Sequence, residues 1–468
     1  MRAQFKKSIQ LVALGVSLSL TTTAVRAETL ADALVSAYNH SGLLEQNRAL
    51  LRAADEDVAS ASSALLPILT WSASAQQSFG TNSTRGTTSN IDGGTASIAL
   101  NAQMMLYDFG GTTAGIESAR ETVYATRAQL QSIEQQILLR GATAYFNLRR
   151  ASKFVGLRQN NLRLLTQELR ASKDRFDVGE ITRTDVALAE SRLAQARSGL
   201  ATAQGDLLRA REEYTNVIGH QPKSLGKLPT LPKVDGNVEN AKARAVRNHP
   251  SMAAAQHQVA AVEFAIKRAE AAMKPTVSLN SSIGIQDNLT STDFTNSASI
   301  GITASGPIYS GGRLSSGVRR AMAQRDAMRG NLHMVRHGVQ QSVGNAYAYY
   351  SSVNAALQAG QQQIRSARVA FRGVREEASL GARTTIDVLN AENELLNAET
   401  SVISSQTDQY IAAYTILSST GSLTAKKLGL KVQEYDPEAY YNLVKKGATK
   451  KSKQGKQLDD LLKALQKK

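Results

Sequence analysis

The sequence predicts a mixed α and transmembrane β protein, and three observations predict it. Short segments alternate apolar and polar side chains with period two, the mark of amphipathic strands. Between them run helical stretches of about 65 residues without proline, such as 113–177. The whole arrangement is written twice along the chain.

The N-terminus reads as an export signal over residues 1–27. Arg2, Lys6 and Lys7 precede an apolar run from Ile9 to Leu20, and Val25-Arg26-Ala27 offers a small-x-small cleavage site. The mature chain then begins near Glu28. No later apolar run reaches the roughly 18 residues that a membrane-spanning helix requires. Cysteine is absent, which excludes disulfides, thiolate metal sites, a cysteine nucleophile and a lipid-modified N-terminal cysteine. Abundant Ala, Gln, Arg, Leu and Ser with 5% aromatics suit long, closely packed helices. The formal charge of +16 is uneven: from Gly421 onward twelve Lys stand against five Asp or Glu. That composition predicts a basic disordered tail within 421–468, and for an exported chain no nucleic acid partner is expected.

Self-comparison exposes the duplication. Val178-Gly179-Glu180-Ile181-Thr182-Arg183-Thr184-Asp185-Val186 lies over Leu380-Gly381-Ala382-Arg383-Thr384-Thr385-Ile386-Asp387-Val388 at a spacing of 202 residues. Ala189-Glu190 then falls on Ala391-Glu392, Tyr145 on Tyr347, and Leu106-Tyr107 on Ile308-Tyr309, each of the last two ahead of a Gly-Gly pair. Asn39-His40 corresponds to Asn248-His249. Repeat 1 therefore spans 28–218 and repeat 2 spans 237–420, joined by a Pro- and Gly-containing linker, 219–236.

Within repeat 1, a first helix leads to strands at about 67–79 and 95–106. Leu69, Trp71, Ala73 and Ala75 oppose Thr70, Ser72, Ser74 and Gln76, and Ala96, Ile98, Leu100, Ala102 and Met104 oppose Ser97, Asn101 and Gln103. Repeat 2 follows suit at about 276–286 and 297–307. Each segment has roughly the 9 to 11 residues of a tilted membrane strand. The polar stretches Gly80 to Gly94 and Asp287 to Asn296 read as loops at the hairpin tips. A long helix at about 113–177 would reach on the order of 100 Å, and a return helix occupies about 184–217. Their counterparts are 314–380 and 384–418. Ala187, Ala189, Ala194, Ala196, Ala391 and Ala398 would let helix axes approach closely.

Four strands cannot stand with open edges in lipid, and four are too few to enclose a barrel. Strands of several protomers must be pooled; three copies would give twelve, within the range of known barrels.

At this point the chain resembles the TolC family of outer-membrane efflux and type I secretion channels. The resemblance rests on the helix-strand-strand-helix-helix order, its duplication, Asn248-His249-Pro250, the Gly-Gly turns after Tyr107 and Tyr309, and the Gly-x-x-x-x-Thr-Asp/Ile-Asp helix tips. It implies a homotrimer forming a twelve-stranded outer-membrane β-barrel continuous with a long periplasmic α-helical coiled-coil tunnel. It also implies a periplasmic adaptor and an inner-membrane transporter of the RND, ABC or MFS type as partners, in the envelope of a Gram-negative bacterium. By motif match, Asp387 and Asn390 fall at the family's periplasmic constriction, the second departing from the usual Asp. Arg383 matches the gate arginine, and Thr184 with Asp185 match its partners on the neighbouring coiled coil. Ala378 stands where the family has a gating tyrosine. Val178, Gly179, Leu380 and Gly381 fall at the helix tips that meet the adaptor.

Other candidates point to no chemistry. His333 and His337 have metal-ligand spacing, but no carboxylate accompanies them and Arg336 lies between. His40 and His249 occupy equivalent repeat positions at helix starts, as structural residues would. Trp71 and Tyr107 suit an interfacial aromatic belt, and the glycines at 110, 111, 311 and 312 suit strand-to-helix bends. No Ser/His/Asp set, paired catalytic carboxylates or nucleotide motif is visible, so neither an enzyme nor a cofactor is expected. The competing reading is an exported, envelope-spanning coiled-coil structural protein or adhesin. It would show one anchoring region, whereas strand pairs recur in both copies.

Overall fold

In a computed structural model, residues 27–445 are described apart from 235 and 434, together with residues 452–466. The export signal lies, but for Ala27, outside the described residues. Repeat 1 contains α1 (Leu30–His40), α2 (Gly42–Ser63), β1 (Ile68–Thr84), β2 (Thr87–Tyr107), α3 (Gly111–Asp177) and α4 (Arg183–Ile218). Repeat 2 follows with α5 (Val238–Asn248), α6 (Pro250–Ala271), β3 (Thr276–Asn288), β4 (Phe294–Ser305), α7 (Arg313–Ser379) and α8 (Thr385–Ser419). Equivalent helices match in length: 11 residues for α1 and α5, 22 for α2 and α6, 67 for α3 and α7.

The single leading helix expected in each repeat is two helices. Their boundary is set by caps: the Ser41 side chain accepts from the Leu44 N–H, and the His249 ring nitrogen accepts from the Ser251 N–H, with Pro250 at the first helical position. His40 thus ends α1 rather than starting a helix, while His249 is an N-cap whose pKa burial pushes down.

The four strands form one antiparallel sheet in the order β1-β2-β3-β4, so β1 and β4 keep free edges within the chain. Register aligns the sheet's two faces across both repeats. Trp71, Leu100, Ile283 and Ala298 stand in one row and Ala73, Ile98, Ile285 and Asn296 in the next. The opposite face carries Thr70, Asn101, Ser282 and Ser299, then Ser72, Ala99, Gly284 and Ser297. Trp71 and Ile300 are each 77% exposed, so the apolar rows have no cover within one chain.

The first hairpin is longer than its composition suggests. Pairing runs from Ile68 with Gln103 to Thr84 with Thr87, and Arg85-Gly86 make the turn with φ of 52° and 83°. Two consecutive positive φ values are the two-residue turn that fits strand twist. The Ser, Thr and Asn of 80–94 read as loop because they alternate no apolar residues, but the ladder satisfies their backbone without any.

From the sheet the chain enters the long helices. Asp108 ends the bend after β2, its carboxylate accepting from the Gly110 N–H at 3.2 Å and from the Thr112 backbone and hydroxyl. The C-terminal half of α3 pairs with the shorter α4, and α7 pairs likewise with the shorter α8; α3 also packs on α2, α6 and α8. The main core lies where α1 meets the middle of α3, around Leu34, Leu138, Tyr145, Phe146, Tyr214, Ile218 and Tyr414. A second gathers Ala241, Met252, Val343, Tyr347 and Ile416 from α5, α6, α7 and α8.

Among its described residues the tail is helical where disorder was expected. Residues Pro437–Val444 form α9 and Lys453–Gln466 form α10. Tyr440, Val444 and Leu458 are buried against Ala59 of α2, and the Tyr440 hydroxyl donates to Glu56 at 2.6 Å. Lysine count concealed this because the docking residues are few. Tyr441 likewise accepts from Arg120 Nε at 3.1 Å.

Candidate functional site

The two coiled-coil tips are built by the same local rules. At the end of α3, Gly179 takes φ 82° and its N–H donates to Phe176 O, while the Glu180 N–H reaches Arg175 O, both at 2.9 Å. At the end of α7, Gly381 takes φ 78°, and Gly381 and Ala382 N–H groups reach Ala378 O and Glu377 O at 3.2 and 2.9 Å. This double closure needs a left-handed residue, which glycine supplies without strain. Each chain then re-enters a helix through a reciprocal cap: the Thr182 hydroxyl with Asp185, and the Thr384 hydroxyl with Asp387. Val178 is 72% exposed and Leu380 84%, so each tip ends in an uncovered aliphatic side chain.

The residues singled out from sequence fall at this end of the molecule, yet they do not all meet. Asp387 Oδ2 accepts from the Thr384 N–H at 3.1 Å and its hydroxyl at 2.7 Å. Those bonds, with Arg383 nearby, hold the Asp387 carboxyl below its ordinary pKa, so it is ionised at neutral pH. Asp185 is engaged with Thr182 in the same manner. Arg383 Nε donates to Glu377 of its own hairpin at 2.9 Å and does not reach Thr184 or Asp185 within the chain. At the other tip Arg175 donates to Glu180 at 3.1 Å. Since Arg175 and Glu377 are equivalent repeat positions, the charge at that position is inverted between the tips. Asn390 accepts from Arg192 Nη2 at 3.3 Å. Ala378 is buried beside Phe371 and Val388.

Just above the tips lies a seam that sequence reasoning missed, between α3 and α8. Leu165 of α3 packs with Leu193 and Ala196 of α4 and with Leu389 of α8. Beside them the Asn161 amide donates to the buried Glu392 carboxylate. Burial pushes the Glu392 pKa up; Asn161, Arg158 and Arg192 pull against it. Arg375 of α7 sits 3.1 Å from Glu168 of α3, and Arg150 of α3 donates to Asp408 of α8 at 3.0 Å. No sequence signal marked this seam, since both repeats carry Glu at this position: Glu190 is exposed and pairs with Lys173, whereas its equivalent Glu392 is buried between the repeats.

Among the described residues no group of three or more His, Asp or Glu could hold a metal ion, and His333 and His337 are both exposed. What the arrangement offers is geometry: an amphipathic sheet with open edges, and two levelled hairpin tips locked by polar contacts.

Known proteins share this build. The chain is 36% identical over 449 residues to the outer membrane efflux protein BepC of Brucella suis, covering 94% of this chain and 96% of that protein. It is 25% identical to the outer membrane protein TolC of Escherichia coli over 90% of this chain and 88% of that one. In fold it matches the outer-membrane channel OprN with a TM-score of 0.75 and 22% identity, covering 84% of this chain and 90% of that one. The outer membrane efflux protein family model matches residues 33–220 and 243–422, one match for each repeat, and the chain belongs to that family.

Proposed function

We propose that this chain is one protomer of a homotrimeric exit duct in the outer membrane, serving a tripartite efflux or type I secretion system. The observation that carries the reading is the sheet: one apolar face uncovered and both edges unpaired within the chain, while among the described residues no helix is long and apolar enough to cross a bilayer. Lipid tolerates such a sheet only when its edges find partners, and three copies supply a closed barrel of twelve strands. Helices α3, α4, α7 and α8 of each copy extend that cylinder into the periplasm. Nothing in the duct performs chemistry; cargo passes, and selection falls to the inner-membrane transporter.

In this reading the tips are the gate and the docking point. Val178, Gly179, Leu380 and Gly381 meet a periplasmic adaptor, the two aliphatic side chains serving as anchors. Asp387 and Asn390 line the periplasmic constriction, where three ionised Asp387 side chains would favour cations. Arg383, already holding Glu377, has the planar fork to take a second acceptor from Thr184 or Asp185 of a neighbouring coiled coil. Reconstitution of the purified protein into planar bilayers tests the whole reading. Stable cation-preferring channels are expected; an absence of ion conduction overturns it.

A further inference from the structure

Away from both the sheet and the tips, a cavity of about 320 Å³ opens between α3, α4 and the linker that joins the repeats. Leu148, Leu207, Pro222 and Leu225 give it apolar walls, and four cations converge on it: Arg149, Lys153, Arg211 and Lys223. No carboxylate lines it. The walls are fixed, because the linker is pinned by a short bridge to the start of the mature chain. Glu28 N–H donates to Ser224 O and Gly226 N–H to Glu28 O, both at 2.8 Å.

The two inner cations have neutral hydrogen-bond partners. Arg149 Nη1 donates to Gly226 O at 2.5 Å, and its buried Nε has no hydrogen-bond partner. Lys153 Nζ donates to the Gln406 amide oxygen at 2.8 Å. Burial, and then the neighbouring Arg149, pull the Lys153 pKa down, as uncompensated positive charge must. Arg211 and Lys223 lie exposed at the rim. Glu28 and Asp32 act on the same Tyr145 that Arg149 contacts: one Glu28 oxygen lies 3.3 Å from His220 while the other is buried without a hydrogen-bond partner, and Asp32 is held in the cap of α1. Like charges brought together over apolar walls repel one another unless an anion joins them, and a partly enclosed low-dielectric site strengthens that attraction. The hydroxyls of Ser152 and Ser224 add donors at the mouth.

We propose that this cavity is an oxyanion site that takes one phosphate or carboxylate group, either as a free ion or borne on a polymer of the cell envelope. The guanidiniums of Arg149 and Arg211 would grip the group's oxygens, and the Lys153 and Lys223 ammoniums would complete its charge. Such a site lies outside the conducting path of the proposed duct and does not depend on it.

The test uses the purified full-length protein in non-ionic detergent. Inorganic phosphate, titrated against chloride at matched ionic strength, is expected to raise the unfolding temperature saturably. Arg211→Gln with Lys223→Gln, both at the exposed rim, should weaken that binding at least tenfold while leaving the circular dichroism and the phosphate-free unfolding temperature unchanged. In a second arm the protein is sedimented with isolated murein sacculi. Sedimentation that phosphate reverses and the double variant loses assigns the site to a polymer-borne group; phosphate binding without sedimentation assigns it to a free ion. Absence of saturable binding in both arms, or binding that survives in the double variant, overturns the proposal.

Discussion

In the proposed constriction, a single atom at Asn390 decides how much charge is carried. Its side-chain oxygen accepts from Arg192 at 3.3 Å, so a carboxylate placed there would be partly neutralised by that guanidinium. Asn390→Asp is therefore expected to raise cation preference, and Asn390→Asp with Arg192→Gln to raise it further. Reversal potentials in a salt gradient read both, and an unchanged ratio for the pair would remove Asn390 from the constriction. Arg383 poses a different question, because its bond to Glu377 lies within one hairpin. If its second contact reaches another coiled coil, Arg383→Ser should increase single-channel conductance whereas Glu377→Gln should not; equal effects would mean that only the internal pair matters. At this scale the sequence was half legible. Thr182 and Asp185, like Thr384 and Asp387, show the three-residue spacing of a reciprocal helix cap, yet the resemblance drew attention to Thr184 instead. Asn161 and Glu392 left no trace, because two residues 231 apart meet only once α3 and α8 are packed.

Caps and seams set the stability of whole elements. Thr384→Ala removes the side-chain acceptor of the Asp387 N–H in the first turn of α8, a loss of about 1 kcal/mol. Hydrogen exchange at the start of α8 should rise accordingly, with α4 unaffected. A stronger dependence is expected where α2 meets α3 and the C-terminal segment. Asp55 is fully buried, neither carboxylate oxygen has a hydrogen-bond partner, and burial raises its pKa from 3.8 to about 6, Arg127 opposing and Glu56 adding to the rise. A carboxyl whose folded pKa is raised binds its proton more tightly in the folded state. The stability it contributes is fully present below about pH 3.8 and is lost as pH climbs through about 6. Asp55→Asn should flatten that slope and stabilise the protein at pH 7 by on the order of 1–3 kcal/mol; thermal melts from pH 4 to 7 decide it, and an undiminished slope in the variant would assign the dependence to other groups. The elements themselves were largely readable, since period two and period three-to-four patterns persist over long stretches. Helix α9 was not, because eight residues hold a helix only through partners such as Glu56 and Arg120.

For the molecule as a whole, the proposed duct pairs the free edges of β1 and β4 with those of sister chains. The natural absence of cysteine gives a clean background for testing this. A scan of single cysteines in β1 combined with single cysteines in β4 should yield, for pairs in register, disulfide-linked species that stop at three copies. Species that stop at one copy, or that extend without limit, would refute a closed trimer. The expectation of closure came from the count of strands, whereas the proposed number of copies came only from the likeness to known channels, since hydrogen-bond satisfaction asks that edges meet and not how many times.

The equality of α3 and α7, at 67 residues each, bears on how such a molecule can change in size. Both helices leave the same sheet and turn back at glycine corners, so their ends form a level rim only while their lengths agree. Adding one seven-residue period to α3 would have to be answered in α4, α7 and α8 at once. A chain altered in one hairpin alone would present an uneven mouth. Growth or shortening of the periplasmic column is therefore expected in matched sets across the duplication, which makes the envelope gap it spans a property of both halves together.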